Sequence, residues 1–307
     1  MVKISVESYK TLKQSKMPRL AEKDLLECLI LDRLFANQYI AENFVFSGGS
    51  SISKSHGLIR RFNEDIDLAC SDFDDIPKRR PQNQLTKFKK NFKKFVFDVI
   101  KPKINHLINQ DQQFMIATDQ DWKALSNTEC FTYPMLHLFY KSEFSEDMGH
   151  LYIEIIPRKY DDSLVSCKQV IPYSTKEKIG NIPTVSCEQT FWDKIHAIHS
   201  NAKTEKPNCE HLFSRHYYDV AKLSETTDLD KSKKLLFNIV KYQQTYTTRK
   251  IEWLESFKNI NLIPNDSVLE KLEDDYKKLQ KTFLEPPESW AGIIQTLRHL
   301  NQNLKLL

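Results

Sequence analysis

The sequence predicts an α+β protein, in which a mixed sheet flanked by helices is followed by a C-terminal helical bundle. Short apolar segments with strand-like patterning recur between residues 44 and 157, whereas beyond about residue 185 the apolar residues repeat at helical spacing. Hydrophobic residues make up 40% of the chain and there are only 6 glycines, which fits a folded, helix-rich protein. A length of 307 residues allows two modest cores, and the expected division is 1–183 for the sheet domain and 184–307 for the bundle.

Leu20 to Gln38 reads as a helix because Leu26, Leu29, Ile30 and Leu34 share one face, widened by Cys28, Leu31 and Phe35. Phe44 to Phe46 reads as a strand entering the tight turn Gly48-Gly49-Ser50-Ser51. A short helix from Ser51 to His56 should follow, ended by Gly57. Asp65, Asp67 and Ala69 alternate with Ile66, Leu68 and Cys70, the period of a strand. Gln84 to Ile108 is the longest helical candidate, with Phe88, Phe92, Phe95, Val96 and Val99 on one side and Pro102 expected to kink or end it. Strands are expected at Gln113 to Thr118, Thr128 to Phe139 and His150 to Pro157. Helices are expected at Thr190 to Asn201, His211 to Leu223, Lys231 to Tyr246, Val268 to Lys281 and Ser289 to Leu304.

Composition narrows the function classes. The lysine-rich opening has no apolar core and does not read as a secretory signal, and no apolar run approaches the roughly 20 residues that span a bilayer. With a mean hydropathy of −0.53, the expectation is a soluble, cytoplasmic protein without membrane contact. The six cysteines are scattered with no C-x-x-C pair, so they read as reduced structural thiols. A formal charge of +4 is compatible with a polyanionic partner but does not indicate one. His196 and His199, with Cys209 and His211 downstream, match no familiar zinc spacing and read as packing or solvent-facing residues.

The chemistry is concentrated in Gly48-Gly49-Ser50 and the Asp65-Ile66-Asp67 that follows. On a strand, residues i and i+2 project to one face, so the two carboxylates point together and repel unless a cation lies between them. Magnesium suits such a pair, since it takes hard oxygen ligands and is commonly held by one or two carboxylates plus substrate phosphates. The glycine turn would supply backbone N–H groups and a serine hydroxyl to a triphosphate. Glu154, the sole acid in the apolar run Leu151 to Ile156, is the natural third carboxylate. Alone, an Asp-x-Asp is often a solvated turn. Asp72, Asp74 and Asp75 read that way.

These residues carry a resemblance. GGSSISKSHGLIRRFNEDIDLA resembles the signature of the AbiEii/AbiGii nucleotidyltransferase toxin family, with Arg61, Asp65, Ile66, Asp67 and Leu68 matching and Asn63 standing where that family usually has serine. Thr190 to Ala197 resembles the family's lysine-bearing helix, and Arg215-His216-Tyr217-Tyr218-Asp219 its Arg-x-x-x-Asp motif, so the likeness runs from about Phe44 to Leu223. It implies a nucleotidyltransferase-type sheet. It also implies an active site of Asp65, Asp67, Glu154, Lys194 and Asp219, with Asp65, Asp67 and Glu154 holding Mg²⁺ or Mn²⁺. The nucleotide-binding set would be Gly48, Gly49, Ser50, Ser51, Arg61, Lys194 and Arg215, with Lys194 on the phosphates. Without the resemblance, Lys194 reads as a surface lysine beside Asp193, and Arg215 and Asp219 as a helix-surface ion pair.

Transfer of a nucleoside monophosphate from an NTP to RNA, with a tRNA 3′ end and a cognate antitoxin implied by the resemblance, is the favoured reading. A protein nucleotidylyltransferase would have an identical triphosphate site, and a non-catalytic nucleotide- or RNA-binding module would not need three acids. A basic run (Lys78, Arg79, Arg80, Lys87, Lys89, Lys90, Lys93, Lys94, Lys101 and Lys103) offers either a path for a phosphate backbone or a solvated lysine-rich helix.

Overall fold

The computed structural model describes residues 2–63, 65–73, 82–118, 121, 133–204, 207–246, 256–283 and 285–307. The chain divides into two compact units. One comprises Met1–Gly57 and Phe62–Val185, the other Leu58–Arg61 and Ser186–Leu307.

The first unit opens with helices α1 (Val6–Lys13), α2 (Pro18–Phe35) and α3 (Gln38–Asn43). Pro18 lies in the first turn of α2, where its missing N–H costs nothing. Asn37 ends the connection by accepting the Ile40 N–H at the start of α3. Strand β1 (Phe44–Ser47) then leads into α4 (Gly48–Lys54) and β2 (Asp65–Cys70). Helix α4 begins on Gly48 itself rather than at Ser51, because the glycine pair forms its first turn.

The long helical candidate is α5 (Gln82–Phe95), a π-helical turn (Val96–Ile100) and α6 (Lys101–Ile108). Pro102 does not end this run: it sits in the first turn of α6, directly after the widened π segment. Strands β3 (Phe114–Thr118), β4 (Met135–Lys141), β5 (Met148–Pro157), β6 (Val165–Val170) and β7 (Ile179–Val185) complete one seven-stranded sheet of order β3-β4-β5-β2-β1-β7-β6. The β2–β5 and β1–β7 pairs are parallel and the others antiparallel, so the sheet is mixed. Strands β6 and β7 were not expected from the sequence. Residues 128–132 of the expected second strand, Asp74, Asp75 and the Lys78-Arg79-Arg80 cluster lie outside the described residues.

Helix α2 packs on β7 and β5 and is buried nearly all round. Besides Leu25, Leu26, Ile30, Leu31 and Leu34 it buries three acids, Glu22, Asp24 and Glu27. Glu22 accepts from the Ser142 hydroxyl and the Glu143 N–H, at 2.8 Å for the latter. Asp24 and Glu27 both hold the Lys54 ammonium, with Glu27 at 2.9 Å, and Asp24 also accepts the Tyr173 N–H at 2.7 Å. Lys54 ends α4, so this buried triad fastens the helix that follows the glycine turn to α2. Burial pushes the Glu27 carboxyl up to about 7, against the pull of Lys54. Native Glu27 therefore keeps its proton from its ordinary 4.5 to about 7, where the unfolded chain has lost it, and its contribution to stability falls as pH rises through that window. Thermal unfolding midpoints of Glu27→Gln and wild type, followed across this range, should diverge in slope, the mutant losing less stability toward neutral pH. Parallel slopes would refute the assignment.

The second unit contains α7 (Cys187–Lys203), α8 (Arg215–Ser224), α9 (Leu229–Ser232), α10 (Lys234–Tyr246), α11 (Asp266–Leu279) and α12 (Trp290–Leu306). Ser186 caps α7 by accepting the Gln189 N–H. The core holds Trp192, Ile195, Tyr217, Leu236, Leu272 and Leu297, and the Trp192 indole donates to Ser232 Oγ at 2.9 Å. Helix α8 starts at Arg215 and not at His211, because His211 and Leu212 take left-handed backbone angles (φ 55° and 59°) unfavourable to residues with side chains. Buried Asp275 of α11 stabilises that turn, accepting from the N–H groups of Leu212 and Ser214 and from the Ser214 hydroxyl at 2.7–2.9 Å.

Candidate active site

In the first unit the site is set by strand register. Asp67 lies directly opposite Glu154 across the parallel β2–β5 pair and opposite Ser47 across β1–β2, and Asp65 lies opposite Tyr152. Alternation places Asp65, Asp67 and Glu154, all half-buried, on one face of the sheet, while Ile66, Leu68, Ile153 and Ile155 fill the core on the other. The three acids that the sequence singled out are thus neighbours on adjoining strands.

The glycine turn closes on this face. Gly48 has φ +71°, and a Cβ built on it would stand 1.6 Å from Asp67 Oδ2, so the carboxylate occupies the space that a side chain would take. Only glycine allows both the backbone angle and this contact. The serines tie the turn to the strand: Ser50 Oγ donates to the Asp65 carbonyl, Ser51 Oγ to the Gly48 carbonyl at 2.9 Å and Ser47 Oγ to the Asp67 carbonyl at 3.4 Å. In this arrangement the hydroxyls of Ser50 and Ser51, expected on the triphosphate, donate to backbone carbonyls. Ser50 and Ser51 are fully buried, whereas Gly48 and Gly49 are half-buried. Gly48→Ala should displace the Asp67 carboxylate, reducing transfer by at least tenfold and stability by about 1–2 kcal/mol from the left-handed backbone alone. Paired activity and thermal-unfolding measurements test this, and wild-type values for both would show that the contact is unimportant.

In the second unit Asp219 is the centre. It is fully buried and accepts two hydrogen bonds from Arg61, Nε to Oδ1 at 3.1 Å and Nη2 to Oδ2 at 2.8 Å, while Lys194 Nζ lies 2.9 Å from Oδ2. Burial by itself would raise its pKa, but Arg61 and Lys194 override that and hold the carboxyl well below the usual range. Arg61 and Lys194 are themselves buried. The helix-surface reading of Asp219 and the surface-lysine reading of Lys194 are therefore excluded. Arg61, expected on the nucleotide, spends two donors on Asp219 and acts as its clamp. Arg215 is half-buried at the start of α8. His216, which the sequence reading passed over, is pushed well below its ordinary 6.5 by burial and by the positive charges of Lys194, Arg215 and Arg61, so it stays neutral. Its position inside Arg215-x-x-x-Asp219 was the available signal. His196 and His199 are buried packing residues, with His199 Nδ1 accepting the Asn261 N–H at 3.0 Å.

Among the described residues no group of three His, Cys, Asp or Glu side chains is arranged to hold a metal by itself. The oxygen donors of Asp65, Asp67 and Glu154, with the Asp67 carboxylate seated against Gly48, fit the other mode, in which two carboxylates and substrate phosphates share a hard cation.

A mixed sheet that sets a Gly-Gly-Ser turn against an Asp-x-Asp strand, with a glutamate directly opposite, is the framework of a nucleotidyltransferase. The family model described as nucleotidyl transferase AbiEii toxin, type IV toxin–antitoxin system, matches residues 29–296, and the chain belongs to that family. It is a toxin–antitoxin nucleotidyltransferase. Among solved structures the chain is similar to JHP933 from Helicobacter pylori, at 13% identity and TM-score 0.42 over 99% of this chain and 94% of that one. It is also similar to a second H. pylori chain provisionally described as a nucleotidyltransferase, at 14% identity and TM-score 0.44 over 98% and 96%. No curated protein matches. No helix among the described residues is long and apolar enough to cross a membrane.

Proposed function

We propose that this protein transfers a nucleoside monophosphate from an NTP to the 3′ end of an RNA, a tRNA in the first instance, in the cytoplasm and under the control of a cognate antitoxin. The observation that carries the catalytic part is the register of Asp67 against Glu154, with the Asp67 carboxylate held on Gly48. The acceptor oxygen attacks the α-phosphorus with loss of its proton, the bond to the β-phosphate oxygen breaks, and pyrophosphate leaves. Mg²⁺ or Mn²⁺ shared between the carboxylates of Asp65, Asp67 and Glu154 and the substrate phosphates would favour the deprotonated acceptor and neutralise charge on the departing pyrophosphate. Gly48 and Gly49 offer backbone N–H groups to the triphosphate. In the helical unit Asp219, itself clamped by Arg61, holds the Lys194 ammonium.

Incubation with each α-labelled NTP, Mg²⁺ or Mn²⁺, and a mixture of total RNA and total protein tests the acceptor. The reading expects label that ribonuclease releases and protease does not. Protease-sensitive label would assign the chain to protein nucleotidylylation instead, and an absence of label with every NTP would favour a binding module.

A further inference from the structure

Helix α5 contains Lys87, Lys89, Lys90, Lys93 and Lys94 and no acidic residue, and Asp98 is the sole acid between residues 82 and 108. Leu85, Phe88 and Phe92 are buried, with Val96 and Ile100 extending the stripe, while Lys87, Lys90 and Lys94 are exposed. Four lysine pairs stand at i,i+3 or i,i+4 (87/90, 90/93, 89/93 and 90/94), where like charges destabilise a helix. A helix that merely faces water avoids this by interleaving acids. Helix α11 does so, alternating Glu270, Lys271, Glu273, Asp274, Lys277 and Lys278, with Lys277 2.8 Å from Asp274. Among the described residues Lys87, Lys90 and Lys94 make no ion pair.

We propose that the Lys87, Lys90 and Lys94 face of α5 binds the phosphate backbone of the acceptor RNA, an inference that rests on the RNA reading above. The charge of Lys87, Lys90 and Lys94, unpaired among the described residues, is what a polyanion would neutralise, and its binding releases counterions rather than requiring a dry contact. From Lys87 to Lys94 the helix rises about 10 Å, enough to meet consecutive phosphates of one strand. An acidic protein fits less well. Stable protein interfaces need an apolar, desolvated centre, and the exposed residues of α5 around the lysines are Gln84, Thr86 and Asn91. Lys103 continues the positive surface on α6, and Lys101, 3.9 Å from Asp121, does so more weakly.

The test compares wild type with the triple variant Lys87→Gln, Lys90→Gln, Lys94→Gln, using a fluorescent RNA hairpin with a single-stranded 3′ end titrated at several salt concentrations. The variant should bind about 10- to 100-fold more weakly at physiological salt, and its log K against log salt slope should be shallower by roughly 2 to 3. Its thermal unfolding and its transfer to a dinucleotide acceptor should match wild type, since glutamine suits a helix as well as lysine does. If wild type labels RNA but the variant keeps the same affinity and slope, the lysines are a solvated face and this proposal fails while the RNA reading stands. If wild type neither binds nor labels RNA, the RNA reading fails first and carries this one with it.

Discussion

Asp67→Asn yields a folded protein whose nucleotidyl transfer falls by about 100-fold or more. The substitution keeps the size and most of the hydrogen bonding of a side chain seated against Gly48 and facing Glu154 across the sheet. It removes one of three negative charges on a single sheet face, so in the metal-free protein it relieves repulsion and stability holds or rises. Catalysis should respond in the opposite sense, because the proposed cation would lose a carboxylate that holds it against the developing pyrophosphate. Growth inhibition on expression should fall in step with transfer. A folded variant, checked by circular dichroism and cooperative melting, that labels its acceptor at near wild-type rate would remove Asp67 from the chemistry.

Asp219→Ala has the largest expected effect on stability. It strips the shared carboxylate from Arg61 and Lys194, leaving two buried cations without the partner that lies 2.8–3.1 Å from them. Removing one member of a buried charge cluster typically costs about 3–5 kcal/mol, here concentrated in the helical unit, and denaturant titration reads it as a lower midpoint. Asp219 has a depressed folded pKa, so its stabilisation is complete above the ordinary carboxylate range and is lost as pH falls from there toward the folded value. The mutant should therefore lack part of the acid destabilisation that wild type shows below about pH 4. If Asp219→Ala melts like wild type, the triad is not a stabilising core of this unit. A melt unchanged in Asp219→Ala together with lost transfer would instead make Asp219 purely functional.

The parts of the site that depend on strand period were legible beforehand. Asp65 and Asp67 alternate with Ile66 and Leu68, and Glu154 is the lone acid of an apolar strand, so their common face follows from a two-residue period. What escaped was set by partners distant in sequence. Strand β7 contains Gly180 and Pro183, which argue against a strand, and β6 exposes Ser166, Cys167 and Gln169 at the sheet edge, so neither shows a hydrophobic alternation. The Leu58–Arg61 segment belongs with the helices because Arg61 bonds to Asp219, 158 positions away, and pairs as an isolated bridge with Phe283. Likewise the helical pattern of α2 marks Leu26 and Ile30 as core but gives no sign that Asp24 and Glu27 are buried around Lys54. The backbone acceptors of the Ser50 and Ser51 hydroxyls are likewise invisible in a residue pattern.

Parallel reactions with α-labelled and γ-labelled NTP show whether the chain breaks the oxygen bond between the α-phosphorus and the β-phosphate and passes the nucleotidyl half to the acceptor. The α-label should enter the acceptor with Mg²⁺ present, and the γ-label should be recovered as pyrophosphate and never in the acceptor. Recovery of the γ-label in the acceptor would instead make the protein a phosphotransferase.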